Sequence, residues 1–482
     1  MNTVQERPNL LFIYTNSMRY DGVGFNGNAN AYTPCLDALF RDGVVFDNAV
    51  SGQPLETPFA AALYTGKYSV ETGAVINEVR LSPNHATFAG TLAENGYDTL
   101  FFGRWHLYAA QLGHYNNVKN SYVPQGEYRL GFNTAFGSFN GSGDFFAPRS
   151  YYHTDSPAKL YTKGFEPDFQ TELALEKLSQ YASGDKPFAM FLSFGAPGGI
   201  MSPDNTPAEY YEMFKNTEIV PSDNYCEKND PHADIWSRFF GKDRNELEQW
   251  QRCAYAMNAA IDADVGRLVG KLKSEGLFDN TVIVFTSSRG EMFGSHGRRS
   301  ANIFYEEAVR VPFAVCCGEK LHRARVNTPL NTPDIMPTVL SLLGVKTPDG
   351  VSGRDLSAAA YGKKTDSPVG SLLLGTGPAA IWGDGREWRG IRTEKFTYAV
   401  YLGGGEFLFD NIDDPLQMNN LADNEDYSDT KEELRNEMLS QMEAIGDSFE
   451  KNSYYKKNFV VKRKIKSELP KKDSPEEVKD KK

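Results

Sequence analysis

Apolar runs that end abruptly in polar or glycine-rich residues recur along the chain. "LLFIYT" stops at Asn16, "TLFFG" at Arg104, "FAMFLSF" at Gly195 and "TVIVFT" at Ser287. Short runs without polar alternation predict strands buried on both faces. Between them lie stretches with helical spacing: "TPCLDALFRDG", "TFAGTLAENGY", "FQTELALEKLSQYA" and the long "ELEQWQRCAYAMNAAIDADVGRLVGKLKSEG". Strands alternating with helices predict an α/β fold, a large and mostly parallel sheet sandwiched by helices. "TPDIMPTVLSLLGV" adds another covering helix, with Pro337 near its first turn.

From about Gly370 the pattern changes. "GSLLLG", "REWRGIRTEKFTYAVYL" and "GEFLFDN" read as short antiparallel strands, and "KEELRNEMLSQMEAIG" as a helix after them. The chain thus divides into an α/β domain at 1–369, a small C-terminal α+β subdomain at 370–450, and a tail at 451–482. Within the first domain, 111–169 is irregular, glycine-rich and dense in aromatics, among them Phe132, Phe136, Phe139, Phe145 and Phe165. It predicts a loop-rich insertion over the sheet's carboxyl end, with rings free to stack on a ligand or to form a small core of their own.

Charge sharpens this division. The net formal charge is −12, yet residues 451–482 carry twelve Lys and Arg against five Asp and Glu. The tail, mixed in charge and poor in large apolar residues, is expected to be disordered. The acidic body argues against a nucleic-acid groove. No stretch approaches the ~18 uncharged apolar residues of a membrane span. "MNTVQERPNL" has no basic segment leading into an apolar one, so the expected location is cytoplasmic. The five cysteines show neither metal spacing nor a disulfide framework.

The segments "RPNLLFIYTNSMRYDGVG", "TPCLDALFRDGVVFDNAV", "ETPFAAALYTGKY", "GYDTLFFGRWHL", "TVIVFTSSRGEMFGSHG", "FYEEAVRVPF" and "LFDNIDDPLQMNNLA" follow in that order. Together they resemble the sulfatase family of the alkaline-phosphatase superfamily, from Arg7 to about Ala422. The resemblance implies that family's fold. It also implies a site that departs from the family's chemistry. Sulfatases use a formylglycine made from Cys or Ser in a C/S-x-P-x-R motif at a helix start, beside a divalent cation held by Asp and Asn or His. Here the motif reads "ETPFA": Glu56 stands in the nucleophile's place, Pro58 is kept and Ala60 replaces the Arg. Glutamate cannot become formylglycine. The positions matching the cation ligands hold Asn16, Ser17, Ser288 and Arg289, whereas hard divalent cations need several anionic oxygens. Two further sulfate contacts match Gly198 and Ala301. In "GRWH", Arg104 keeps a positive charge where sulfatases have Lys, and His106 is intact. The resemblance therefore implies a pseudosulfatase-like member, with no metal and no cofactor expected.

Losing a cation while keeping its anionic ligands would leave them in mutual repulsion. In this chain Arg289 can supply the positive charge, and the site is expected to pair it with Glu56, near His106. The expected function is binding of a saccharide or other small molecule, anionic groups included, or of a partner, without hydrolysis of sulfate esters. Arg104, Asn16, Ser17 and Ser288 are the candidate ligand contacts. The alternative is a metal-independent enzyme with glycosidase- or lyase-like chemistry on a saccharide, using Glu56, His106 and Arg289. A residual sulfuric- or phosphoric-ester hydrolase is the second alternative. Thr57 is a poor nucleophile without metals. Glu291, His296, Glu306 and Glu307 read as structural, with Arg310 a partner for the last two.

Overall fold

The apolar runs form the middle of a ten-stranded sheet. The computed structural model describes residues 7–461 apart from 78, 110–116, 183, 185, 234–236, 239–243, 319, 364–369 and 377–383. Across the sheet the strands are Ala324–Val326, Val44–Phe46, Phe313–Cys316, Thr281–Ser287, Asn9–Asn16, Phe188–Pro197, Asp98–Arg104, Ala135–Phe139, Tyr151–His153 and Leu160–Tyr161. The five from Thr281–Ser287 to Ala135–Phe139 run parallel. Antiparallel pairs are confined to the flanks.

Side chains alternate between the faces of the central strand, and each face has its own core. Leu10, Phe12 and Tyr14 pack with Phe59 and Leu63 of the Glu56–Thr65 helix, with Phe88, and with Met336 and Val339 of the Thr332–Leu342 helix. Leu11 and Ile13 face the other way. They meet Leu36 and Phe40 of Pro34–Asp42, Leu178 of Glu166–Leu178, and Ile261 and Leu268 of the long Arg244–Ser274 helix. Burial on both sides is why these strands read as unbroken apolar runs. Pro337 lies in the body of its helix rather than in the first turn.

The described part of the aromatic segment, 117–169, is more regular than expected, although Asn120, Ser121, Phe139 and Gly141 line a small recess together with His106. Ala135–Phe139 becomes the fifth parallel strand, and Tyr151–His153 and Leu160–Tyr161 extend the same edge. Phe132 and Phe136 pack on Phe101 and Trp105 inside one core, while Phe145 and Phe165 belong to the other. These rings are structural.

Beyond it, Gly370–Gly375, Trp388–Thr393, Phe396–Tyr401 and Glu406–Asp410 form a four-stranded antiparallel sheet in chain order. The Ser428–Ala444 helix covers one face through Leu434, Met438 and Met442. The other face packs on Phe304 and Tyr305 of the large domain. The expectation of disorder from residue 451 fails for the residues that follow it directly. Asn452–Tyr455 and Lys456–Val461 are helical, and Tyr455 is buried. Its hydroxyl accepts a hydrogen bond at 2.7 Å from Arg389, whose guanidinium also pairs with Asp447. A buried cation with a carboxylate partner explains why the chain holds on here. The rest of the expected tail, 462–482, lies outside the described residues. No helix among the described residues is long and apolar enough to cross a membrane. All five cysteines are free.

Candidate functional site at the carboxyl ends of the strands

Three parallel strands and one helix start meet at a single place. The register of the first strand breaks between Tyr14 and Asn16, so that Asn16 pairs with Pro197 and accepts the Gly198 N–H at 2.9 Å. Such irregularities re-aim side chains at the end of a strand. A Cβ on Gly198 would lie 2.7 Å from the Asn16 amide nitrogen, so any side chain there would displace Asn16. Ser17 and His106 both have left-handed backbones, at φ 68° and 57°. A non-glycine residue in that conformation costs of order 1–3 kcal/mol and persists where the surroundings impose it. Ser17 immediately follows one central strand, and His106 lies two residues beyond the end of another.

Glu56 opens the Glu56–Thr65 helix and is half-buried. Arg289 donates to its Oε1 at 3.2 Å and the Asn16 amide donates to the same oxygen at 3.4 Å. The Asn77 amide donates to Oε2. Asn16 in turn accepts the hydroxyls of Ser288 at 3.1 Å and Ser17 at 3.4 Å. The guanidinium of Arg289 is shared, since its other arm reaches Glu291 at 3.1 Å and the Gly290 carbonyl at 3.2 Å. Glu291 is itself held by the backbone N–H groups of Met292 and Ala301. Thr57 is fully engaged. Its N–H donates to Asn77 at 3.0 Å and its hydroxyl to the His106 carbonyl at 2.9 Å.

The electrostatics follow from these contacts. Burial pushes the Glu56 carboxyl up, but Arg289, His106, its own helix-start N–H and Asn77 outweigh it and hold it at about 2. Burial pushes His106 down to about 4, against the pull of Glu56 and with help from Arg104 and Arg289. At neutral pH the site therefore holds an ionised Glu56, a charged Arg289 and a neutral His106.

Glu56, Asn16, Ser17, Ser288 and Arg289 come together, with His106 beside them. Arg104 does not join them as a ligand contact. Its guanidinium is buried against Glu166 at 2.9 and 3.3 Å and lies over the Phe145 ring. Gly195 makes this possible, because a Cβ there would fall 2.1 Å from Arg104 Nε. Two residues join that sequence reasoning missed or set aside. Asn77 lies outside the quoted segments, and Glu291 was assigned to architecture alone. Glu306 pairs mainly with Arg392 at 2.9 Å, and with Arg310 only at 3.8 Å. Among the described residues no group of three or more His, Cys, Asp or Glu stands where it could hold a metal ion. A cavity of about 390 Å³ lies beside the site, with Ser17 and Pro197 in its lining.

This scaffold has known counterparts. The sulfatase family model matches residues 8–345, and that of the N-sulphoglucosamine sulphohydrolase C-terminal region matches 294–444. An ulvan-active sulfatase of Formosa agariphila is 32% identical over 457 residues, covering 94% of this chain and 84% of its own. An N-acetylglucosamine-6-O-sulfatase of Bacteroides thetaiotaomicron is 23% identical over 508 residues, with 89% and 85% covered. The crystal structure of the Bacteroides fragilis protein described as sulfatase yidJ superposes with a TM-score of 0.80 at 26% identity, covering 94% of this chain and 99% of that one. Fold, strand-end site and both sequence matches agree: the chain belongs to the sulfatase family.

Proposed function

We propose that this member of the family binds a saccharide at the Glu56 pocket and does not hydrolyse sulfate esters. The observation that carries the proposal is the carboxylate of Glu56 at the helix start, closed into an ion pair with Arg289. A carboxylate side chain cannot be converted into the aldehyde that sulfatases use. The surrounding groups do not fit a hard divalent cation either. Such ions take six or more oxygens, several of them anionic. This pocket offers neutral oxygens from Asn16, Ser17 and Ser288, one carboxylate already engaged, and a guanidinium among them.

The saccharide reading draws on the relatives, one named for ulvan and one for N-acetylglucosamine. A thermal-shift screen of purified protein against such glycans, followed by product analysis, tests it. Stabilisation by a glycan with no product supports the proposal, and release of sulfate overturns it.

A changed enzyme built on Glu56 finds less support. A carboxylate held at about 2 is a weak base at neutral pH, and a general base works best near the operating pH. The second carboxylate on the same guanidinium, Glu291, is occupied by Arg289 and two backbone N–H groups.

A further inference from the structure

We infer that the Glu56 pocket recognises a saccharide through a free hydroxyl and discriminates against a sulfate ester at the same position. The inference rests on the saccharide reading and adds the chemical state of the sugar.

Charge is the first argument. A sulfate-binding pocket needs cations with capacity to spare, and the two guanidinium groups here have carboxylate partners. Arg104 is taken up by Glu166, and Arg289 by Glu56 and Glu291 together. His106 adds no charge at neutral pH. The cluster of Glu56, Glu291 and Arg289 carries a formal charge of −1, so an incoming sulfate meets net repulsion. Interactions between charges in such a partly desolvated site are stronger than in bulk water.

Hydrogen-bond chemistry is the second argument. An ionised carboxylate only accepts hydrogen bonds. A sulfate monoester also only accepts, so Glu56 and a sulfate would face each other with no hydrogen between them. A sugar hydroxyl can donate to Glu56 and accept from a neighbouring amide in the same contact. Oε2 of Glu56 receives one side-chain donor, the Asn77 amide, whereas Oε1 receives two. Oε2 therefore keeps acceptor capacity. The Glu56 side chain retains 16% of its surface exposed, and Asn16, Asn77 and His106 are also only half-buried. A hydroxyl can reach this group.

Room for the remainder of the sugar lies next door. The cavity that shares Ser17 with the site, through its hydrogen bond to Asn16, is lined by amides and rings, including Asn28, Gln251, Asn258, Tyr255 and Phe293. Among the described residues its one cationic side chain, Arg19, pairs with Asp21 at 2.9 Å. A few polar groups between aromatic faces suit an uncharged, hydroxyl-rich ring.

The test compares matched ligands on the intact protein by calorimetry. One pair is N-acetylglucosamine and its 6-sulfate, and the other is ulvan oligosaccharides before and after chemical desulfation. In at least one pair the unsulfated form is expected to bind about tenfold tighter, a difference of about 1.4 kcal/mol. Glu56→Gln, which can donate to a sulfate, should reduce that preference to about threefold or less. Equal or tighter binding of the sulfated form in every pair that binds overturns this inference and leaves the saccharide reading standing. If no member of either pair binds, and a wider glycan panel is silent too, the saccharide reading falls and takes this inference with it. The wild-type comparison decides the matter whether or not the variant folds.

Discussion

Arg289 Nη2 donates to Glu56 Oε1 at 3.2 Å, across 233 residues of chain. Both side chains are largely withdrawn from water, with 11% and 16% of their surfaces exposed. Removing the guanidinium leaves a half-buried carboxylate with amide donors alone. Arg289→Ala is expected to destabilise the fold by about 2–4 kcal/mol. Adding Glu56→Gln should recover part of that loss. Denaturant unfolding of the wild type, both single variants and the double variant measures the coupling, and strictly additive losses would refute it.

Acid should unfold the protein in two overlapping stages. His106 is depressed from 6.5 to about 4, so its neutral form stabilises the fold fully above pH 6.5 and progressively less down to 4. Glu56 is depressed from 4.5 to about 2, so its contribution is complete above pH 4.5 and fades toward pH 2. Both terms have the same sign. The melting temperature should fall as pH drops below 6.5, and Glu56→Gln should flatten the part below 4.5. A melting temperature unchanged from pH 7 to 4.5 would contradict the His106 assignment, and one unchanged by Glu56→Gln between pH 4.5 and 2 would contradict that of Glu56.

Chelation should have no effect. The oxygens of Asn16, Ser17 and Ser288 are neutral, and the carboxylate beside them, Glu56, is already paired with the Arg289 guanidinium. EDTA is expected to leave the melting temperature unchanged, and elemental analysis after dialysis to find no stoichiometric calcium or magnesium. One tightly bound equivalent of either would overturn the reading of Asn16, Ser17, Ser288 and Arg289.

Aryl sulfates and aryl phosphates should not be turned over above background. Glu56→Cys alone should not restore activity, because Ala60 stands where the family motif has Arg and the pocket keeps Arg289. Sulfate release by the unmodified protein would be decisive against the proposal.

How legible this was depended on where each partner lies. Strand ends were readable because double burial turns a central strand into an unbroken apolar run that stops where solvent begins. The convergence of Asn16, Ser288 and Glu56 follows from that rule together with the family order of segments. The direction of Arg104 was not readable, since it depends on Glu166, 62 residues away, and on the missing side chain of Gly195. Asn77 escaped notice because its task is to bridge a helix start, taking the Thr57 N–H with one atom and Glu56 with the other. The aromatic segment misled for a simpler reason. Glycine and asparagine around Phe132 and Phe136 suggested loops, while the rings themselves sit in the core of an added strand.

The chain beyond residue 450 should matter for stability. Arg389 is fully buried and depends on Asp447 and on the Tyr455 hydroxyl. Tyr455→Phe removes one bond to a buried cation and should cost about 1–3 kcal/mol. Truncation after Glu450 should cost more, since it also uncovers the Val75, Ile76 and Val79 cluster on which Tyr455 packs. Thermal melts of the two variants measure both effects, and a truncated protein as stable as the full chain would refute the anchoring role.

The shared guanidinium also shapes the paths by which this site could change. Exchanging Glu56 for a neutral residue leaves Arg289 with Glu291 alone, and exchanging Arg289 for an acid sets three carboxylates against one another. Neither single step is neutral, so a lineage moving toward an acidic, cation-holding pocket must pass through a less stable ancestor or alter both positions together. Directed evolution from this scaffold faces the same barrier, and libraries that vary one position at a time will tend to stay where they began.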